Sequence, residues 1–164
     1  MAKSVFFSFH YERDNWRVQQ VINMGVLEGQ PILKPQEWEE VKRKGEQAIK
    51  NWIAEKMKGK SAVVVLVGNQ TANREWVRYE IAHAWDNYKP LVGIRIHGLK
   101  DSNGNTDTAG QNPFERVNLA GGAGTLATRV PLYTPSGSTS QQVHADISAN
   151  LTKWVNSARG RSSS

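Results

Sequence analysis

The chain has 164 residues, 38% of them hydrophobic, with six Trp, no Cys, and 21 Lys and Arg against 15 Asp and Glu, a formal charge of +6. That length suits one domain with its own core. No apolar run approaches the roughly 20 residues of a spanning helix, and the lack of thiols excludes a disulfide framework, a thiolate zinc site and a Cys nucleophile. The positive balance favours an anionic partner, but Lys42-Arg43-Lys44 is interleaved with Glu39, Glu40 and Glu46 and no nucleic-acid motif accompanies the charge, so nucleic acid is not expected.

Met1-Ala2-Lys3 leads directly into a strand-like run without the apolar core and cleavage site of a secretory signal, and a cytoplasmic protein is expected. Residues 4–9, apolar on both alternating faces, predict a central strand covered on both sides. The loop after it gathers Ser8, His10, Tyr11, Glu12 and Arg13, a composition suited either to ligand contacts at a strand end or to a plain polar turn. Asp14 is placed to cap a helix carrying Trp16, Val18, Val21 and Ile22. Residues 25–35 hold two Gly and two Pro and predict an irregular loop, with at most a short strand over Pro31-Ile32-Leu33-Lys34.

From Gln36 to Met57 apolar residues recur every three or four positions, a helix with a break near Gly45. Trp52 and Ile53 are assigned to packing, while Trp38, beside the Pro-rich loop, could cover a pocket. Residues 61–67 form a continuous β-branched run, the pattern of a parallel strand buried on both faces. A helix then runs from Asn73 to about Tyr88, Pro90 stops it, and residues 91–96 supply another strand. Strands alternating with helices give βαβ units, a parallel sheet and right-handed crossovers. On the helix after the Val-rich strand, Trp76 and Glu80 lie one turn apart with Asn73 at the helix start, where its side chain could cap the backbone. A carboxylate against an aromatic wall near strand ends fits a functional acid; most helical Glu residues are ordinary, and the stretch by itself favours a solvated Glu80 with Trp76 as a core anchor.

Residues 98–114 are too polar for a core element and predict a long surface loop. Asp101, Asn103, Asn105 and Asp107 alternate as in a calcium loop, but Gly104 falls between the second and third of them and the closing acid is missing, which excludes that reading. Gly121-Gly122-Ala123-Gly124 is followed by no Lys-Ser or Lys-Thr and is not a phosphate loop. Residues 128–133 predict a last, edge-tolerant strand and residues 138–157 a closing amphipathic helix. The expected organisation is one domain over residues 1–158 and a flexible tail over 159–164.

Four stretches together resemble the TIR-like domain family, and within it most closely the branch found in Thoeris anti-phage defence. They are Phe6-Phe7-Ser8-Phe9-His10-Tyr11-Glu12-Arg13-Asp14, Trp38-Glu39-Glu40 with Gly45, Val63-Val64-Val65-Leu66-Val67-Gly68, and Thr71-Ala72-Asn73-Arg74-Glu75-Trp76-Val77-Arg78-Tyr79-Glu80-Ile81. The resemblance covers residues 3–113 well and the remainder loosely; Asn73 stands where the family often has Ser, and Val77 where it often has Cys. It implies a flavodoxin-like three-layer α/β fold, a mostly parallel sheet with helices on both faces. It further implies cleavage of NAD between nicotinamide and ribose, with Glu80 as the catalytic acid and Phe7, Ser8, Phe9, His10, Tyr11, Asp14, Trp38, Asn73 and Trp76 as substrate contacts. NAD is then the substrate; no separate cofactor, metal, nucleic-acid or membrane partner is implied.

For the Thoeris-type branch the resemblance implies a cyclic ADP-ribose-type signal that acts on a separate effector NADase, together with self-association into TIR assemblies. The alternative is a non-catalytic TIR adaptor or scaffold that works through self-association. A receiver-like phosphorylation module shares the order of elements but is disfavoured: the first strand ends in Ser8-Phe9-His10 instead of an acidic pair, and Gly68-Asn69 supplies no acceptor Asp.

Overall fold

The Val-rich run becomes a strand buried at all six positions, Ala62–Val67, because helices cover both of its faces. The structure, a computed structural model, describes residues 3–161. Five strands, β1 (Lys3–Ser8), β2 (Leu27–Glu28), β3 (Ala62–Val67), β4 (Leu91–Arg95) and β5 (Leu132–Tyr133), form one sheet in the order β2-β1-β3-β4-β5 with every neighbouring pair parallel. The helices are α1 (Tyr11–Asn23), α2 (Pro35–Arg43), α3 (Glu46–Met57), α4 (Glu75–Asp86) and α5 (Ser140–Asn156).

Alternate strand residues feed two apolar layers, as the period of two requires. Val5, Phe7, Val64, Leu66, Val92 and Ile94 pack with Val18 and Val21 of α1 and with Ile147 and Leu151 of α5. Phe6, Val63, Val65 and Val67 pack with Ile49 and Ile53 of α3 and with Val77 and Ile81 of α4. This is the flavodoxin-like α/β arrangement. The chain leaves β1 toward β2 and returns on the other side at β3, so the carboxyl ends of β1 and β3 flank the crevice where open α/β sheets bind ligands.

Several local expectations are corrected. α1 begins at Tyr11, and its cap is His10, whose Nδ1 accepts from the Arg13 N–H at 3.1 Å; Asp14 is not the cap. Asp14 instead lies fully buried against Arg17, whose Nη1 donates to Asp14 Oδ1 at 3.0 Å. The same guanidinium donates to the carbonyls of Leu99 and Asn105 at 2.8 and 3.0 Å, which pins the long polar loop onto α1. The second strand is Leu27–Glu28 and not residues 31–34, since only the two residues before Gly29 stay in register with β1. The expected break near Gly45 is present: α2 ends at Arg43 and α3 begins at Glu46, and the Gly45 φ of 102° suits a residue without Cβ. The last strand is two residues long, with 3₁₀ turns over Pro113–Arg116, Ala120–Gly122 and Leu126–Thr128 before it. Of the expected tail, Arg159 exchanges two 2.8 Å backbone hydrogen bonds with Leu91, and Arg161 sits 5.3 Å from the Tyr88 ring centre; residues 162–164 lie outside the described residues. Among the described residues no helix is long and apolar enough to cross a membrane.

Candidate active site

β1 delivers Ser8 to the sheet's carboxyl edge, and α4, packed over β1 and β3 through Val77 and Ile81, brings Glu80 against it. The Ser8 hydroxyl, fully buried, donates to Glu80 Oε1 at 2.6 Å. Burial pushes the Glu80 carboxyl up from 4.5 to about 8, with the Ser8 hydrogen bond pulling the other way. None of the ion pairs among the described residues includes Glu80. A carboxyl held this way is neutral at pH 7 until a cation arrives to favour its charged form.

Glu80 opens into a cleft of about 590 Å³, counting its mouth, which lies within the range of about 300–1,000 Å³ of small-molecule sites. Its walls are aromatic. Phe9 stacks on Tyr11 at 6.0 Å between ring centres, Tyr11 meets Trp38 at 6.1 Å, and Trp38 meets Trp52 at 6.0 Å. Two donors in this wall are idle: Tyr11 Oη and Trp38 Nε1 are buried with no hydrogen-bond partner among the described residues. Burial first, then the nearby Glu37, raises the Tyr11 hydroxyl above its ordinary range, so it stays a donor at neutral pH. Arg74 brings a positive charge to the lining, held by Glu12 at 2.8 Å; Glu12 also draws Lys42 to 3.7 Å and His10 to 3.6 Å. Burial and then Arg74 lower the His10 pKa, with Glu12 opposing them.

Of the residues singled out from sequence, Phe7, Phe9, Tyr11, Trp38, Trp76 and Glu80 line the cleft, and Ser8 reaches it through its bond to Glu80. His10 caps α1 beside it, and Asp14 is turned into the core. Asn73 belongs to a 3₁₀ turn, Thr71–Asn73; its amide bonds to Gln70 at 2.7 Å and to Arg116 at 3.3 Å, and it neither lines the cleft nor caps α4, whose capping position is Arg74. Arg78 donates to the Ala72 carbonyl and His83 stacks on Tyr79, and neither is among the residues that line the cleft.

The cleft also contains residues that carried no signal in the sequence. Pro31, Ile32 and Leu33 line it as loop, and Trp52 both packs the core and closes the aromatic wall. Gln30 is buried and makes a reciprocal pair with Phe7: its Nε2 donates to the Phe7 carbonyl and its Oε1 accepts from the Phe7 N–H, both at 2.9 Å. This amide replaces the strand that ends at Glu28, satisfying the edge of β1 where Phe7 and Ser8 must be held. The chain can pass so close only because residue 29 is Gly, since a Cβ there would lie 2.4 Å from the Phe7 ring. The position of the 29–33 loop at strand ends is a usable hint; the pairing of Gln30 with Phe7, 23 residues apart, is not visible in any local pattern.

Residues 6–101 match the family described as Thoeris protein ThsB, TIR-like domain. The chain is also 38% identical over 120 residues to a protein of Bacillus cereus (strain MSX-D12) named "Putative cyclic ADP-D-ribose synthase ThsB1". That match covers 70% of this chain and 62% of the relative, so the chain spans less than two thirds of the relative's length. With the parallel sheet, the strand order and the Ser8–Glu80 pair in place, the chain belongs to the TIR-like domain family of the Thoeris protein ThsB.

Proposed function

We propose that this chain cleaves NAD at the bond between nicotinamide and ribose and closes the remaining ADP-ribose into a cyclic signal. The observation that carries the reading is the Glu80 carboxyl, bonded by Ser8 at 2.6 Å and facing an aromatic cleft at the switch point of the sheet. The similarity to a relative named as a cyclic ADP-D-ribose synthase supports the same class of product.

The chemistry follows from charge. The bound nicotinamide ring is a cation, and the faces of Tyr11, Trp38 and Trp76 attract a flat cation. Beside Glu80 that cation favours the carboxylate and draws its proton off. When the glycosidic bond breaks, the ring leaves neutral with the bonding electrons and positive character moves onto the ribose. A carboxylate already fixed by Ser8 stabilises that charge without reorganising. Arg74 in the lining is suited to the diphosphate of the same molecule. Once substrate and self-association close the mouth, the aromatic wall excludes water, so that a group of the substrate itself attacks the ribose and gives up its proton, which yields a cyclic product. The signal acts on a separate effector NADase, and self-association of the chain completes the open mouth of the cleft.

Mass spectrometry of the products formed from NAD by wild type and Glu80→Gln tests this reading. Nicotinamide and a cyclic ADP-ribose are expected from the wild type, and a loss of at least 100-fold is expected from the variant. Equal turnover by both proteins refutes the role of Glu80. No turnover by the wild type in any state of assembly favours the adaptor.

A further inference from the structure

A second cavity lies at the same carboxyl edge of the sheet, beyond β4 and β5, and shares no lining residue with the aromatic cleft. It encloses about 550 Å³ counting its mouth. Its wall contains Arg95, which ends β4, and His97 just after it. Thr106, Ser138 and the first turn of α5 complete the lining.

Two buried side-chain nitrogens in this wall lack partners among the described residues, while the Ser138 hydroxyl is already used, donating to Gln142 Oε1 at 3.0 Å. Arg95 Nη1 donates to Thr134 Oγ1 at 2.9 Å, but its Nε is buried with no partner, and no carboxylate pairs with it among the described residues. His97 Nδ1 is likewise buried and unpartnered. The acid in the same wall, Asp107, is already engaged: it accepts from Arg13 Nη2 at 2.7 Å and from the Thr108 N–H at 2.9 Å. At α5 the Thr139 hydroxyl covers the Gln142 N–H at 3.2 Å, the first turn holds no acid, and the N–H groups of Ser140 and Gln141 have no partner among the described residues. Buried polar atoms are ordinarily paired, and two unpaired nitrogens, Arg95 Nε and His97 Nδ1, in one wall are an exception. A guanidinium, an imidazole and unpaired helix N–H groups lining one space call for a ligand with several acceptor oxygens and negative charge.

We infer that this cavity binds a phosphoryl group, with Arg95 and His97 as its side-chain donors and the amino end of α5 as its backbone contact. A carboxylate offers two oxygens and one charge; a phosphoryl group offers three oxygens and close to two charges, and so satisfies more of these donors at once. The group comes either from free phosphate or from the end of a nucleotide. The site stands apart from NAD cleavage, and its existence does not depend on that activity.

Isothermal titration calorimetry of the full chain in dilute chloride buffer, with inorganic phosphate in one arm and AMP in the other, separates these cases. Binding is expected to weaken at least tenfold in Arg95→Gln and to be unchanged in Trp38→Ala, which alters only the aromatic cleft. Ser140→Asp puts a carboxylate at the first position of α5, where it favours the helix while repelling an anion, so it tests the site even if Arg95→Gln fails to fold. It too is expected to weaken binding at least tenfold. AMP binding more tightly than phosphate, with that advantage lost in Arg95→Gln and kept in Trp38→Ala, assigns the nucleotide as the source; equal affinity assigns free phosphate. Absence of heat for both at millimolar concentration, wild-type affinity in both site variants, or a loss that follows Trp38→Ala overturns the inference.

Discussion

Glu80→Gln should make the ligand-free protein more stable, and increasingly so as pH rises. Glu80 is lifted by burial from 4.5 to about 8, so the folded chain holds a proton that the unfolded chain releases. A carboxyl with a raised folded pKa contributes its full stability below the unfolded value, and that stability is lost as pH climbs through the folded one. The window here runs from 4.5 to about 8. At about 1.4 kcal/mol per decade, the loss reaches roughly 3 kcal/mol by pH 7 and roughly 5 kcal/mol above pH 8. Water entering the cleft mouth screens the carboxylate, so about half of these values is the working expectation. Gln keeps the size and the acceptor for Ser8 but cannot ionise, and its stability should be flat over the same window. Urea denaturation at intervals between pH 5 and 8.5 measures the difference. The two midpoints should be close at pH 5 and separate by about 1 M at pH 8, for a slope of about 2 kcal/mol per M. Parallel curves, with a constant offset across the range, would show that Glu80 titrates normally and would refute the burial on which the reasoning rests.

The same titration should appear in catalysis: log kcat/KM for NAD is expected to rise with pH and level near 8, because the free enzyme must ionise Glu80; a profile flat from pH 6 to 9 argues against it. Gln30→Ala leaves the buried N–H and carbonyl of Phe7 unpaired, and a loss of about 2–4 kcal/mol is expected in urea denaturation, together with weaker NAD binding. Arg17→Met leaves Asp14 buried without its partner and frees the carbonyls of Leu99 and Asn105; a loss of about 3–5 kcal/mol is expected, with faster amide exchange over residues 99–107.

The cleft and the second cavity lie on one edge because of topology. All five strands run parallel, so every strand-to-helix loop leaves at the carboxyl edge, and the polar residues of those loops collect there. The opposite edge receives the chain's closing segment, where Arg159 pairs with Leu91.

What the amino-acid sequence by itself determined was the layering. The Val-rich run of β3, the alternating apolar faces of β1 and the three-to-four-residue spacing of α3, α4 and α5 specify elements whose apolar sides must be covered, and a parallel sheet follows from their alternation. Period alone also placed Trp76 and Glu80 on one helix, and resemblance singled out Glu80 among the chain's acids. Period cannot say what lies opposite a side chain, because that depends on contacts between distant residues. Only the tertiary structure decided that Ser8 meets Glu80 across 72 positions, that Gln30 stands in for a missing stretch of strand, and that Asp14, polar and loop-proximal in sequence, is drawn into the core by Arg17. It also decided the protonation of Glu80. A helical Glu in water is an ordinary acid, and the same residue closed between Ser8 and an aromatic wall holds its proton until a cation is brought to it.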